Sequence, residues 1–160
     1  MIYLIGFMGS GKTTVGEYLG ERLGIPCIEM DEQIEKNEDM TIREMFSSYG
    51  EEYFREKETA FLSSLEGQAV VSTGGGVVLS ENNQLLLKQG TTVYLKAEWE
   101  TIVERLQGDK NRPLWKGDRE ERKLRFEERL PIYENAADLV VQVDGRSPLE
   151  ICDEIIQRLK

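Results

Sequence analysis

Residues 6–13 read Gly6-Phe7-Met8-Gly9-Ser10-Gly11-Lys12-Thr13, the spacing GxxxxGK[ST]. From average residue frequencies such a string arises in roughly one random chain in two hundred of this length. Its context is the one the chemistry needs. An apolar run at 2–5 precedes it and a helical pattern opens at Lys12. Glycines let backbone N–H groups close around phosphate oxygens, and the helix start adds partial positive charge. In such a loop the lysine reaches the transferred phosphate and the Thr13 hydroxyl ligates Mg²⁺. Gly9, Ser10, Gly11, Lys12, Thr13 and Thr14 are therefore candidate ATP-binding residues.

A phosphate loop does not name a reaction. The guanine-reading string NKxD is absent, which argues against a GTPase. The apolar run Ala69-Val70-Val71-Ser72-Thr73 ends in hydroxyls, where many mechanical ATPases carry an Asp for the metal. Small-molecule kinases remain. In an open parallel sheet the acceptor binds outside the carboxyl ends of the strands. Three features fall there: Glu29-Met30-Asp31, Gly74-Gly75-Gly76, and Arg55 within an acidic segment. Asp31 could accept a hydroxyl proton and orient an alcohol. The glycines admit close approach of a ligand to the backbone. Arg55 could grip a carboxylate or phosphate in bidentate fashion. Glu58, three positions on, could hold that guanidinium. Taken singly, Asp31 reads as an N-cap, the glycines as a turn and Arg55 as a surface ion pair. Their joint placement beside a phosphate loop makes them candidates.

The elements that must carry these residues are legible as apolar patterns. Strand-type runs occur at 2–5, 26–29, 69–73, 91–95 and 139–143. Helical patterns fill 12–23, 31–37, 42–64 (with Gly50 as a candidate break), 80–89, 98–107, 119–135 and 147–158. Thr41 and Ser80 are candidate N-caps, the second without the acid that completes a capping box. Short apolar strands alternating with helices predict an α/β fold with a parallel sheet covered on both faces. The stretch 108–118 breaks periodicity, is polar and is bounded by glycines, and reads as a mobile loop or lid.

Composition excludes much else. The 160 residues suit one domain, 39% apolar and 31% charged, with no internal repeat. There is no histidine, which removes the Ser-His-Asp triad, the HExxH zinc site and histidine phosphorelay. Cys27 and Cys152, 125 positions apart, form no metal motif and read as small buried hydrophobes. No apolar run is long enough for a membrane span or a signal peptide, so a cytoplasmic protein with no membrane partner is expected. A net charge of −10 disfavours a nucleic-acid partner. Residues 31–66 hold eleven acids and only four bases, so any anion bound there must be held by a few local cations.

Together these residues resemble the shikimate kinase family. The matching pieces, in order, are GFMGSGKTT at 6–14, the acidic pair at 29 and 31, GExxFRxxE at 50–58, the glycines 74–76, Arg112-Pro113-Leu114, and Arg129 to Tyr133 as RxxxY. They span residues 1 to about 146. The resemblance implies a P-loop three-layer sandwich related to the nucleoside monophosphate kinases. Its parallel sheet of five strands runs 2-3-1-4-5, with a substrate-binding subdomain at about 31–62 and a lid at about 108–118. It implies transfer of the ATP γ-phosphate to the 3-hydroxyl of shikimate, in chorismate and aromatic amino acid synthesis, with Mg²⁺ as cofactor. A monomer is expected.

Carried over by position, Asp31 matches the residue that binds the substrate hydroxyls and acts as base. Arg55 and Arg129 match the pair that grips the substrate carboxylate. Gly75, within 74–76, matches a backbone contact to substrate, and Phe46 and Phe54 match apolar walls. Arg112 matches a lid arginine that reaches ATP, and with Lys12 and Asp31 completes the catalytic set. Arg105 and Arg146 match positions near the nucleotide. One position departs from the pattern: the family has Asp-x-Asp after the second strand, and here Glu29 stands first. Glu29 keeps the charge and adds a methylene, so it and Asp31 could meet the metal through water. Two other readings stay open on the residues alone: a kinase of sugar acids or nucleoside monophosphates, and a regulatory ATP-binding domain without catalysis.

Overall fold

The computed structural model describes residues 1–107 and 119–160. The expected lid at 108–118, with Arg112, lies outside the described residues.

Five strands, β1 (Ile2–Ile5), β2 (Cys27–Glu29), β3 (Val70–Ser72), β4 (Thr91–Lys96) and β5 (Leu139–Gln142), form one parallel sheet. Its order is β2-β3-β1-β4-β5, as the resemblance implied. The central strand pairs Ile2 with Val70 on one side and with Thr91 on the other. Tyr3, Leu4 and Ile5 are consecutive and all buried, so side chains on both faces of β1 are covered. That explains why the strands read as continuous apolar runs rather than alternating ones.

The helices are α1 (Lys12–Leu23), α2 (Met30–Glu38), α3 (Ile42–Tyr49), α4 (Glu51–Ser64), α5 (Glu81–Leu87), α6 (Trp99–Gln107), α7 (Arg119–Ala136) and α8 (Pro148–Leu159). The pattern at 42–64 is two helices. Gly50 sits at φ 90°, ψ 168°, a conformation that side-chain-bearing residues rarely adopt, and the chain turns there. The expected helix 80–89 is shorter, because Ser80 is its N-cap and the helix ends at Leu87 with Lys88 as C-cap; a 3-10 turn at Val77–Leu79 precedes it. Thr41 and Ser80 cap α3 and α5, accepting from the N–H groups of Glu44 and Asn83. Among the described residues no helix is long and apolar enough to cross a membrane.

Close packing under α1 positions the phosphate loop. A Cβ on Gly20 would stand 2.9 Å from the Ile25 carbonyl, and one on Gly16 would stand 3.1 Å from Cys27 Sγ. Glycine at these two places lets α1 lie against β2, so the helix start follows directly from the end of β1. Core side chains such as Leu4, Leu19, Val71, Leu95 and Ile155 are fully buried between the layers.

Candidate active site

The loop between β1 and α1 is held open by backbone geometry. Gly9 and Gly11 take φ 81° and 95°, in the left-handed region. Gly11 is the N-cap of α1 and supplies no side chain to cap it, and the first turn of α1 contains no acid. The first N–H groups of the helix therefore point at the loop, where an anion suits both their hydrogen-bonding capacity and the helix dipole. Lys12 is buried, and its Nζ donates to the carbonyls of Gly6 at 2.8 Å and Phe7 at 3.1 Å. The ammonium is thus pinned across the loop. Phe7 anchors the loop from below, its ring edge-on to Phe126 at 5.4 Å and to Trp99 at 6.5 Å. Arg105, from α6, reaches the same loop and donates to the Gly9 carbonyl at 3.2 Å.

One cleft of about 740 Å³ runs from this loop to the triple glycine. Thr13, Glu29 and Ser72 are among the residues that line it. Burial pushes the pKa of the Glu29 carboxylate up, and the nearby Thr13 and Ser72 hydroxyls oppose the rise. Glu29 Oε1 is buried with no hydrogen-bond partner among the described residues. Asp31 does not cap α2. The N-cap is Glu29, whose side chain makes no cap bond, and Asp31 stands in the first turn facing the cleft.

Glycine is needed at 74 and 76 because functional side chains press against those two positions, and a third lies in ordinary contact distance of Gly75. A Cβ on Gly74 would stand 2.7 Å from Asp31 Oδ1. One on Gly76 would stand 2.5 Å from Arg55 Nη2, and one on Gly75 would stand 3.7 Å from Arg129 Nη1. The structure so brings Asp31, Arg55 and Arg129, from α2, α4 and α7, onto one short turn after β3. Glu58 is fully buried and accepts from Arg55 at 2.7 Å, as the spacing predicted. Burial raises the Glu58 pKa and Asp31 adds to the rise, while Arg55 and Arg129 oppose it. Glu51, one turn earlier on α4, accepts from Arg55 Nη2 at 3.2 Å.

The aromatic pair divides. Phe54 lines the cleft, and Phe46 packs on Phe54 with ring centroids 5.3 Å apart but is 38% exposed and does not itself line it. Arg146 is not brought to the cleft either. Its guanidinium is engaged by Glu154 at 2.6 Å and by the Gln142 carbonyl at 2.8 Å, although Pro148 and Ile151 from the same region do form the wall. Sequence reasoning passed over Arg125 and Ser72, both on the wall, and Tyr133, whose hydroxyl donates to the Gly75 carbonyl. The signal for Arg125 was present: it lies four residues before Arg129, on the same helical face.

A phosphate loop alone leaves the acceptor unspecified. The acceptor end here is a corner lined with the Arg55 and Arg129 guanidinium groups beside the Asp31 carboxylate. The class is that of the P-loop small-molecule kinases, with an anionic alcohol as acceptor. The shikimate kinase family model matches residues 8–160, and the chain belongs to the shikimate kinase family. It is 44% identical to a shikimate kinase of Persephonella marina, over 99% of this chain and 98% of that one. It is likewise 44% identical to a shikimate kinase of Dictyoglomus turgidum, over 98% and 95%. Among solved structures, shikimate kinase from Acinetobacter baumannii in complex with shikimate superposes with a TM-score of 0.89 at 37% identity, over 99% of this chain and 91% of that one. The Aquifex aeolicus shikimate kinase gives 0.86 at 42% identity, over 99% and 95%.

Proposed function

We propose that the chain transfers the γ-phosphate of ATP to the 3-hydroxyl of shikimate. In this reading the loop Gly9–Thr14 holds the ATP phosphates, with Arg105 beside it. Helices α2 to α4 form the substrate-binding subdomain, Arg55 and Arg129 grip the carboxylate, and Asp31 orients the attacking hydroxyl and accepts its proton. The observation that carries the reading is the convergence of Asp31, Arg55 and Arg129 on Gly74–Gly76, directly beside the phosphate loop that holds Lys12.

The metal side of the cleft offers only oxygen donors: the Thr13 and Ser72 hydroxyls and the Glu29 and Asp31 carboxylates. No group of three His, Cys, Asp or Glu among the described residues forms a metal cage by itself. Such a sparse, hard set fits Mg²⁺, which keeps several waters and takes substrate phosphates as further ligands. Bound there by Thr13, with Glu29 and Asp31 acting through water, Mg²⁺ would neutralise charge on the β- and γ-phosphates. With a loose transition state, positioning outweighs proton removal. Every group named comes from a single chain, which fits a monomer working in the cytoplasm, where ATP is at hand.

The deciding measurement is coupled ADP release with shikimate, gluconate and nucleoside monophosphates offered separately. Turnover confined to shikimate is the expected result. Equal turnover with another acceptor, or none with shikimate, would overturn the reading.

Two further expectations concern the acceptor corner. Each guanidinium makes a charge-assisted bond worth about 1.5–3 kcal/mol, so Arg55→Ala or Arg129→Ala raises the KM for shikimate roughly 10- to 150-fold. The KM for ATP stays within about two-fold, since Arg55 is held by Glu51 and Glu58 and, among the described residues, Arg129 meets the phosphate loop only at the Phe7 ring, 5.9 Å from its centroid. Arg55→Lys also weakens shikimate binding, because an ammonium cannot reproduce the bidentate fork. Equal losses for both substrates would make these residues structural.

Gly76→Ala tests the close approach directly. Gly76 has φ −101°, which alanine adopts readily, so the strain comes from the 2.5 Å contact with Arg55 Nη2. The variant is expected to shift Arg55 and raise the KM for shikimate about ten-fold, the cost of one charged hydrogen bond at the low end. An unchanged KM would show that Arg55 gives way without loss.

A further inference from the structure

Tyr133 has no role in the reading above, yet it is fully buried behind the triple glycine. It stands on α7 one turn after Arg129, so both side chains issue from the same helical face. Its hydroxyl donates to the Gly75 carbonyl. The Arg129 guanidinium lies close enough to the same hydroxyl to favour its ionised form, and its Nη1 stands beside Gly75. Its ring is fixed by stacking on Tyr94 of β4, with centroids 5.1 Å apart and planes at 29°.

The turn after β3 explains what this arrangement achieves. The Gly74 carbonyl accepts from Val77 N–H at 3.2 Å, and the Gly76 carbonyl accepts from Leu79 N–H at 3.1 Å. Within the triple glycine the Gly75 carbonyl is the one acceptor left to a side chain. Three consecutive glycines have wide conformational freedom, and a rotation of the Gly75–Gly76 peptide would be cheap. Tying that carbonyl to a buried, stacked phenol sets the peptide plane. It thereby sets the direction of the Gly76 N–H on the same plane, next to Arg55.

We propose that Tyr133 is a positioning residue for the acceptor. Its single hydroxyl couples the Arg129 guanidinium to the triple-glycine turn, so that the carboxylate clamp and the substrate-facing backbone are set as one unit. The role rests on the acceptor reading of the cleft. Tyr133 itself does not line the cleft.

The test is Tyr133→Phe, which keeps the ring and the stack and removes only the hydroxyl. The KM for shikimate is expected to rise about ten-fold, the upper end for one lost hydrogen bond. The KM for ATP and the unfolding midpoint stay close to those of the unaltered protein. Tyr94→Phe, which removes a buried hydroxyl from the same stack, is the control and leaves the KM for shikimate within two-fold. In an Arg129→Ala background the Tyr133→Phe penalty shrinks to less than half its fold-change, because one of the two coupled partners is gone. Several outcomes would overturn the proposal: an unchanged KM for shikimate, a matching rise in the KM for ATP, the same rise in Tyr94→Phe, or full additivity with Arg129→Ala. A Tyr133→Phe chain that did not fold would overturn it too, since the hydroxyl would then serve the core. Failure of the unaltered protein to phosphorylate shikimate would instead remove the reading on which the proposal rests.

Discussion

Lys12→Ala is expected to lower kcat for shikimate phosphorylation by about 10²–10³-fold, the usual loss when one preorganised electrostatic contact to developing charge is removed. The reason lies in how the ammonium is held. It is buried, and it spans the carbonyls of Gly6 and Phe7 before any substrate arrives. A charge fixed in this way needs no reorganisation as the γ-phosphate moves, and burial strengthens its field relative to water. The fold tolerates the change, because Lys12 opens α1 and alanine is the better helix former there. The unfolding midpoint should therefore move little. Steady-state kinetics at saturating shikimate and ATP, beside thermal unfolding, checks both halves. A kcat within ten-fold of the unaltered protein would remove Lys12 from the catalytic set.

Asp31→Asn is expected to lower kcat by about 10²–10³-fold, within the range of general acid–base contributions. The amide keeps the volume and one acceptor oxygen but cannot take a proton. The KM for shikimate should rise less than kcat falls, because Arg55 and Arg129 still hold the carboxylate. Stability should not suffer. Asp31 raises the pKa of the buried Glu58 by like-charge repulsion, so neutralising Asp31 relieves that repulsion. Glycine at 74 leaves room for either side chain. Unaltered kcat and KM would make Asp31 a residue of the α2 first turn and nothing more. A drop in kcat with a lowered unfolding midpoint would point to misfolding instead. The two variants also separate from each other. Lys12→Ala should weaken the handling of ATP with any acceptor, whereas Asp31→Asn should leave any slow ATP hydrolysis by water nearly intact.

Much of this site is legible in the amino-acid sequence. The phosphate loop is contiguous, so its eight positions carry their geometry with them: left-handed φ at Gly9 and Gly11 demands glycine, and Lys12 and Thr13 must open the helix. The strands are legible because a doubly covered parallel sheet leaves apolar runs in the chain. Arg55 and Glu58 are legible as a pair because three residues is close to one helical turn.

Other features are not, and each for a reason of distance along the chain or of local competition. Phe46 and Phe54 share a motif region, yet only Phe54 lines the cleft, since the break at Gly50 puts Phe46 on a separate helix, where it is 38% exposed. Arg146 has the residue type for a nucleotide contact, but Glu154 on α8 competes for it locally. Tyr133 stands in the RxxxY string, but its partner is Gly75, 58 positions away.

Residue type, short spacing and apolar period suffice for the class of chemistry, for the succession of strands and helices along the chain, and for the cations and carboxylates on offer. All of these are local properties. Which of those groups meet is a matter of packing between distant segments. Asp31, Arg55 and Arg129 come from three helices, and they converge because β3 lies between β2 and β1 in the sheet. That order sets the turn after β3 beside the end of β2, and leaves at Gly74–Gly76 a backbone with no side chains to keep the three groups apart.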